Sequence, residues 1–113
     1  MATASEQSLT DLLSLSHASK AGDGDRLRLA IVGMGLVGRR HAAAINQIRS
    51  VEICAIVDSD DAITAQAANA GIESYNDLCL MINTTRPDGI ILSTPTNLHM
   101  SQALACIDAK IPI

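Results

Sequence analysis

The feature that most narrows what this chain can fold into is the run Gly33-Met34-Gly35-Leu36-Val37-Gly38, set directly after the apolar stretch Leu27 to Val32 and directly before a stretch of helical length. At a strand-to-helix junction the glycines of such a run have separate tasks. The first permits a tight turn, the second lets a pyrophosphate approach the backbone, and the third lets helix and strand pack closely. The helix N-terminus that follows presents unpaired N–H groups and the positive end of the helix dipole, so an anion can be held there without a basic side chain.

Beyond this junction, short apolar runs alternate with helix-length stretches, the pattern of an α/β chain with a Rossmann-type parallel sheet and crossover helices. Strands are expected at 27–32, 51–57, 72–75 and 89–93. The first helix is expected over 38–48, with His41, Ala44, Ile45 and Ile48 on its apolar face, and a second over 60–70, stopped by Gly71. Asn76 or Asp77 is placed to cap a third, through Leu78, Met81 and Ile82, which Pro87 ends. Thr96 or Asn97 is placed to cap a fourth, reaching about Ala109, with Met100, Ala103, Leu104 and Ile107 turned inward.

Residues 1–25 are mostly Ser, Ala, Thr, Asp and Gly and read as a flexible N-terminal tail. Leu9, Leu12, Leu13 and Leu15 are the exception, since their partly helical spacing suits a short helix docking elsewhere, such as on a partner subunit. Residues 26–113 form the dinucleotide-binding unit. Ile111-Pro112-Ile113 opens a further apolar run, so the unit is expected to be incomplete, truncated at the start of a fifth strand in a longer protein.

Composition excludes several classes. A formal charge of −4, with no basic stripe, argues against binding nucleic acid by phosphate neutralisation, and Tyr75 as the single aromatic leaves no stacking platform for bases. No apolar run approaches the roughly 20 residues that span a bilayer, and the first 25 lack the basic start and apolar middle of a secretory signal. Cys54, Cys79 and Cys106 form no C-x-x-C pair and each falls in an apolar run, which reads as reduced core thiols. A cytoplasmic location follows as the default, and no metal site is expected.

Asp58 stands 20 residues after Gly38, the interval at which an acidic residue reaches the adenosine ribose. Its carboxylate can accept from both ribose hydroxyls and repels a 2′-phosphate. With no Arg or Lys between Asp58 and Ala70 to reverse this, the expected cofactor is NAD rather than NADP. Arg39 and Arg40 are expected on the solvated side of the first helical turn, and His41 in a local packing or capping role.

Ser93-Thr94-Pro95-Thr96-Asn97-Leu98-His99, together with Ala30 to His41 and Ala55 to Asp58, resembles the Gfo/Idh/MocA oxidoreductases, the relatives of glucose-fructose oxidoreductase and inositol dehydrogenase. The resemblance runs from about Arg26 to Ile113. It implies that Thr94, Pro95, Asn97 and His99 line the nicotinamide side of a cofactor pocket, with Gly33, Gly35, Leu36, Val37, Gly38 and Asp58 on the adenosine diphosphate side. It also implies hydride transfer between a nicotinamide and a hydroxylated carbon of a sugar, polyol or related small molecule. The family's Glu-Lys-Pro motif, whose Lys takes part in catalysis, would follow Ile113. No catalytic residue is therefore assigned within the chain, and this stretch alone is expected to be inactive. A homo-oligomer is expected, formed through the missing domain. The alternative is a noncatalytic nucleotide-sensing module, which would keep the same glycines and Asp58. A methyltransferase would want an acidic residue just before the first glycine, where Ile31-Val32 stands.

Overall fold

The computed structural model describes residues 8–18 and 25–113. Helix α1 (Leu9–Ala18) leads into the alternation β1 (Leu27–Val32), α2 (Leu36–Asn46), β2 (Val51–Val57), α3 (Asp61–Asn69), β3 (Glu73–Tyr75), α4 (Leu78–Thr85), β4 (Gly89–Leu92) and α5 (Thr96–Asp108). The four strands pair in parallel in the order β3-β2-β1-β4. The chain winds outward from β1 to β3 and returns to the other side of β1, so the strand order reverses between β1 and β4. Ligands of open α/β sheets sit outside the strands' carboxyl ends at such a reversal.

The central strands are apolar because both faces are covered. Ile31, Ile53 and Ile56 pack on the face bearing α1, α2 and α3, with Ala42, Ile45 and Ala67. Ala30, Val32, Ala55 and Val57 face α4 and α5, with Met81, Ile82 and Cys106. Pairing of β1 with β2 slips between Leu29↔Ile53 and Ala30↔Ala55, which leaves Cys54 as the extra residue of a bulge. At the opposite end of the sheet Arg28 donates to the Thr85 and Arg86 carbonyls at 2.9 and 3.0 Å, satisfying acceptors that α4 leaves open at its C-terminus.

The segment expected as a flexible tail departs from that reading over Leu9–Ala18, which is helix α1, with Leu9, Leu12 and Leu13 fully or almost fully buried. The Ser8 hydroxyl accepts the Asp11 N–H at 3.1 Å and caps the helix start. Three leucines at i, i+3 and i+4 then make one apolar stripe, which seats against α2 and α3 of this same chain rather than on a partner. Thr10 Oγ1 donates to the Gln66 carbonyl at 3.4 Å, and Asn46 Nδ2 donates to the Leu12 carbonyl at 3.1 Å. The rest of that expectation, over 1–7 and 19–24, and the side chain of Leu15 lie outside the described residues.

Two helix faces also differ from expectation. Helix α2 starts two residues before Gly38, and its buried face is Gly38, Ala42 and Ile45, while His41, Ala44 and Ile48 are exposed. The glycine needed for contact with the turn has to sit inside the helix, which fixes the rotation. In α5 the inward position is Cys106, with Ala103 and Ala109 half-buried, and Met100, Leu104 and Ile107 are exposed. Both sets have helical spacing. The small residues win because they allow close approach to the sheet, and because His99 and Gln102 on their side of the helix bond to Thr94.

Of the cysteines, Cys106 is buried, Cys54 half-buried and Cys79 exposed, so the core reading fails for Cys79. The Ile111–Ile113 run carries no strand, but the Pro112 carbonyl accepts the Ile90 N–H at 2.9 Å and Ile111 is buried, which lays the run beside β4.

Candidate functional site

Three turns converge at the carboxyl end of the sheet: 33–35 after β1, 58–60 after β2 and 93–95 after β4. Gly33 adopts φ +92°, in the left-handed region, and a Cβ there would lie 2.9 Å from the Ser93 carbonyl group and from Thr94 Cγ2. Its missing side chain lets the first and third turns touch. At Gly38 a Cβ would fall 2.1 Å from the Gly33 carbonyl oxygen, so glycine is required for α2 to close on the turn. Gly35 differs from both, because its φ of −75° suits any residue and, its own atoms and its two chain neighbours aside, no heavy atom lies within 4 Å of where its Cβ would be.

Gly35 is also the N-cap of α2, and no side chain caps the helix. The N–H groups of Leu36, Val37 and Gly38 in the first turn have no helical acceptor. Leu36 and Val37 of this turn border a cavity of about 530 Å³ between the three turns. Gly33 and Gly35 line it, with Leu36 and Val37, which are about half exposed.

Asp58 forms a second wall. Its Oδ2 accepts the Met34 N–H at 2.8 Å and its Oδ1 accepts the Asp60 N–H at 2.9 Å, which ties the carboxylate to the glycine turn and to the start of α3. The Asp58 main chain is held in turn, its N–H by the Tyr75 carbonyl at 3.0 Å and its carbonyl by Asn76 Nδ2 at 2.9 Å. A carboxylate offers about four acceptor positions. Two are taken, and two remain.

The third wall is Ser93, Thr94, Pro95 and Leu98. Thr94 Oγ1 donates to Gln102 Oε1, and His99 Nε2 lies 2.6 Å from the Thr94 carbonyl oxygen. A carbonyl only accepts, so that nitrogen carries the proton and the ring staples the turn. Helix α5 begins after Pro95, its N-cap, with Thr96 as the first helical residue; neither Thr96 nor Asn97 caps it.

Among the residues expected in the pocket, Gly33, Gly35, Leu36, Val37, Asp58, Thr94 and Pro95 are brought together around one cavity. Gly38, Asn97 and His99 do not line it: Gly38 is buried in packing, Asn97 is exposed, and His99 turns to Thr94. The sequence reading omitted Ser59, Ser93 and Leu98. Each adjoins a residue it named, and adjacency in these three turns was the available signal. Of the flanking residues, Arg40 is exposed as expected and Arg39 half-buried. No helix among the described residues is long and apolar enough to cross a membrane.

Residues 27–113 match a family profile described as an oxidoreductase family with an NAD-binding Rossmann fold. The chain is 33% identical over 88 residues to the rhizopine catabolism protein MocA of Rhizobium meliloti, covering 78% of this chain and 28% of that protein. It is 34% identical over 90 residues to inositol 2-dehydrogenase 4 of Saccharopolyspora erythraea, covering 77% of this chain and 27% of that one. Among solved structures it superposes on the WlbA dehydrogenase of Bordetella pertussis, in complex with NADH and UDP-GlcNAcA, with a TM-score of 0.71 and 28% identity, covering 76% of this chain and 27% of that one. The chain thus spans little more than a quarter of the length of the curated relatives it matches.

Proposed function

Because the chain belongs to the Gfo/Idh/MocA oxidoreductase family, with its NAD-binding Rossmann fold, we propose that the cavity between its three turns holds NAD for a dehydrogenase acting on a hydroxylated carbon of a sugar, polyol or related small molecule. The observation that carries this reading is Gly35. Neither its backbone conformation nor any neighbour in the protein demands glycine, and the space its side chain would fill faces the uncapped start of α2. A missing Cβ there makes room for a group from outside the chain, and unpaired N–H groups favour an anionic one.

In this reading the N–H groups of Leu36 and Val37, at the open start of α2, hold the pyrophosphate. The two free acceptor positions of Asp58 take the adenosine ribose hydroxyls, and a 2′-phosphate brought there meets a fixed negative charge that its backbone bonds keep from swinging away. Leu36, Val37, Pro95 and Leu98 exclude water from the cavity walls, while Thr94 shapes the wall nearest α5. When bound, the dinucleotide supplies a nicotinamide able to take or give a hydride, and the protein's task is orientation. His99, at the start of α5, belongs to this site by holding the Thr94 turn, and Asn97 stands exposed beside it. Inositol 2-dehydrogenase among the relatives supports a polyol substrate class. The small-molecule substrate, a homo-oligomeric assembly, a cytoplasmic location and the absence of nucleic-acid binding are part of the same proposal, supported for the last by the charge of −4.

Calorimetric titration of the protein with NAD and NADP tests it. NAD is expected to bind more tightly, and Asp58→Ala to shrink that preference by about tenfold, the worth of roughly one charge-assisted hydrogen bond. Equal affinities in the unaltered protein, or a preference untouched by Asp58→Ala, would refute the role of Asp58.

A further inference from the structure

We propose that Ser93 is a ligand-binding residue of the cavity, its hydroxyl reserved for the second phosphate, the one remote from adenosine, or the ribose beyond it. The inference rests on the NAD reading and adds to it a side chain that motif spacing did not reveal. Thr96 and Asn97 at the β4–α5 junction are exposed, and among its less exposed polar side chains the Thr94 hydroxyl goes to Gln102 and the His99 ring to the Thr94 carbonyl. Ser93 is the exception. Its Oγ is shut off from solvent and has no hydrogen-bond partner among the described residues, although its N–H is used, donating to the Val32 carbonyl at 2.8 Å.

An unpaired buried hydroxyl is costly, and alanine at this position would remove that cost. Its place in the fold supplies a use. Ser93 directly follows β4 at the reversal of strand order, pressed against Gly33, and it lines the cavity. A serine side chain moves between staggered positions by rotation about one bond, so the hydroxyl can turn from its enclosed position to the cavity when a phosphate oxygen or sugar hydroxyl arrives. Asp58 and Ser59 line the far wall, beyond the glycine turn. Ser93 therefore serves the part of a dinucleotide that lies past the glycine turn from Asp58.

Ser93→Ala in the full chain is expected to melt at or slightly above the temperature of the unaltered protein, and to bind NAD and ADP-ribose roughly tenfold more weakly, one hydrogen bond to a charged or strongly polar group. AMP, which ends before the second phosphate, should bind both proteins alike. Ser93→Cys, which keeps the shape and weakens the donor, should fall between them. Unchanged NAD affinity in Ser93→Ala overturns the assignment while the NAD reading stands, and so does an equal loss for AMP. A chain that binds neither NAD nor ADP-ribose overturns the reading underneath and this assignment with it.

Discussion

At the scale of single residues, the cavity separates what spacing encodes from what only packing reveals. Gly33, Gly35 and Asp58 were legible because a positive φ, an open approach and an acceptor 20 residues on are demands made by local geometry. Ser93 and the inward turn of His99 were not, since whether a hydroxyl or a ring nitrogen finds a partner depends on Thr94 and Gln102 meeting across a helical turn. The cysteines show the same divide, because an apolar run does not say which residues of a helix turn outward. Burial pushes the Cys54 thiol up from its ordinary 9.0 to about 11, with the Arg28 charge opposing. The thiolate is the disfavoured form, so the folded state holds the proton more tightly than the unfolded chain. The contribution is fully present below pH 9 and is lost as pH rises through about 11. Urea unfolding between pH 8 and 11 should therefore show a loss of stability that Cys54→Ala lacks, and iodoacetamide near pH 8 should label exposed Cys79 well before Cys54. Equal labelling rates would contradict this account.

Among the elements, strands and helix order could be read from apolar runs and glycine punctuation, whereas helix faces could not. Met100, Leu104 and Ile107 have the same periodicity as the small residues that α5 in fact buries, and pattern alone has no way to rank them. Helix α1 is the converse case. Its leucines carry the right stripe, but they sit among polar residues with little else to bury, and the surface formed by α2, α3 and β2 supplies their partner. Since Leu12 is 2% exposed and Leu9 and Leu13 are fully buried, α1 is an integral layer of the core. Leu12→Ala should cost about 2–5 kcal/mol, the range for a large-to-small core substitution. Urea denaturation measures it directly. A cost below about 0.5 kcal/mol, the level of a surface change, would show that α1 does not stay seated on α2 and α3.

For the molecule as a whole, the parallel order β3-β2-β1-β4 brings the ends of three strands to one place, and the sequence could indicate each turn without showing that they enclose a single cavity. That enclosure couples binding to global stability, because a ligand that touches all three turns binds only when the sheet is formed. At a hundredfold excess over its dissociation constant such a ligand stabilises the fold by about 2.7 kcal/mol. For a domain of this size that is a rise in melting temperature on the order of 10 °C. NAD is expected to produce it, measured by differential scanning calorimetry. Gly35→Val gives the sharper half of the test, since the Cβ it adds meets no heavy atom within 4 Å beyond its own residue and its two chain neighbours. The variant should keep its secondary structure and melt within a few degrees of the unaltered protein, because only the cap position of α2 is disturbed. It should show no NAD-dependent rise, because the branched side chain stands where the pyrophosphate would lie. A rise that survives Gly35→Val would mean that the stabilising ligand lies elsewhere on the molecule, and the convergence of the three turns would then lose its functional meaning.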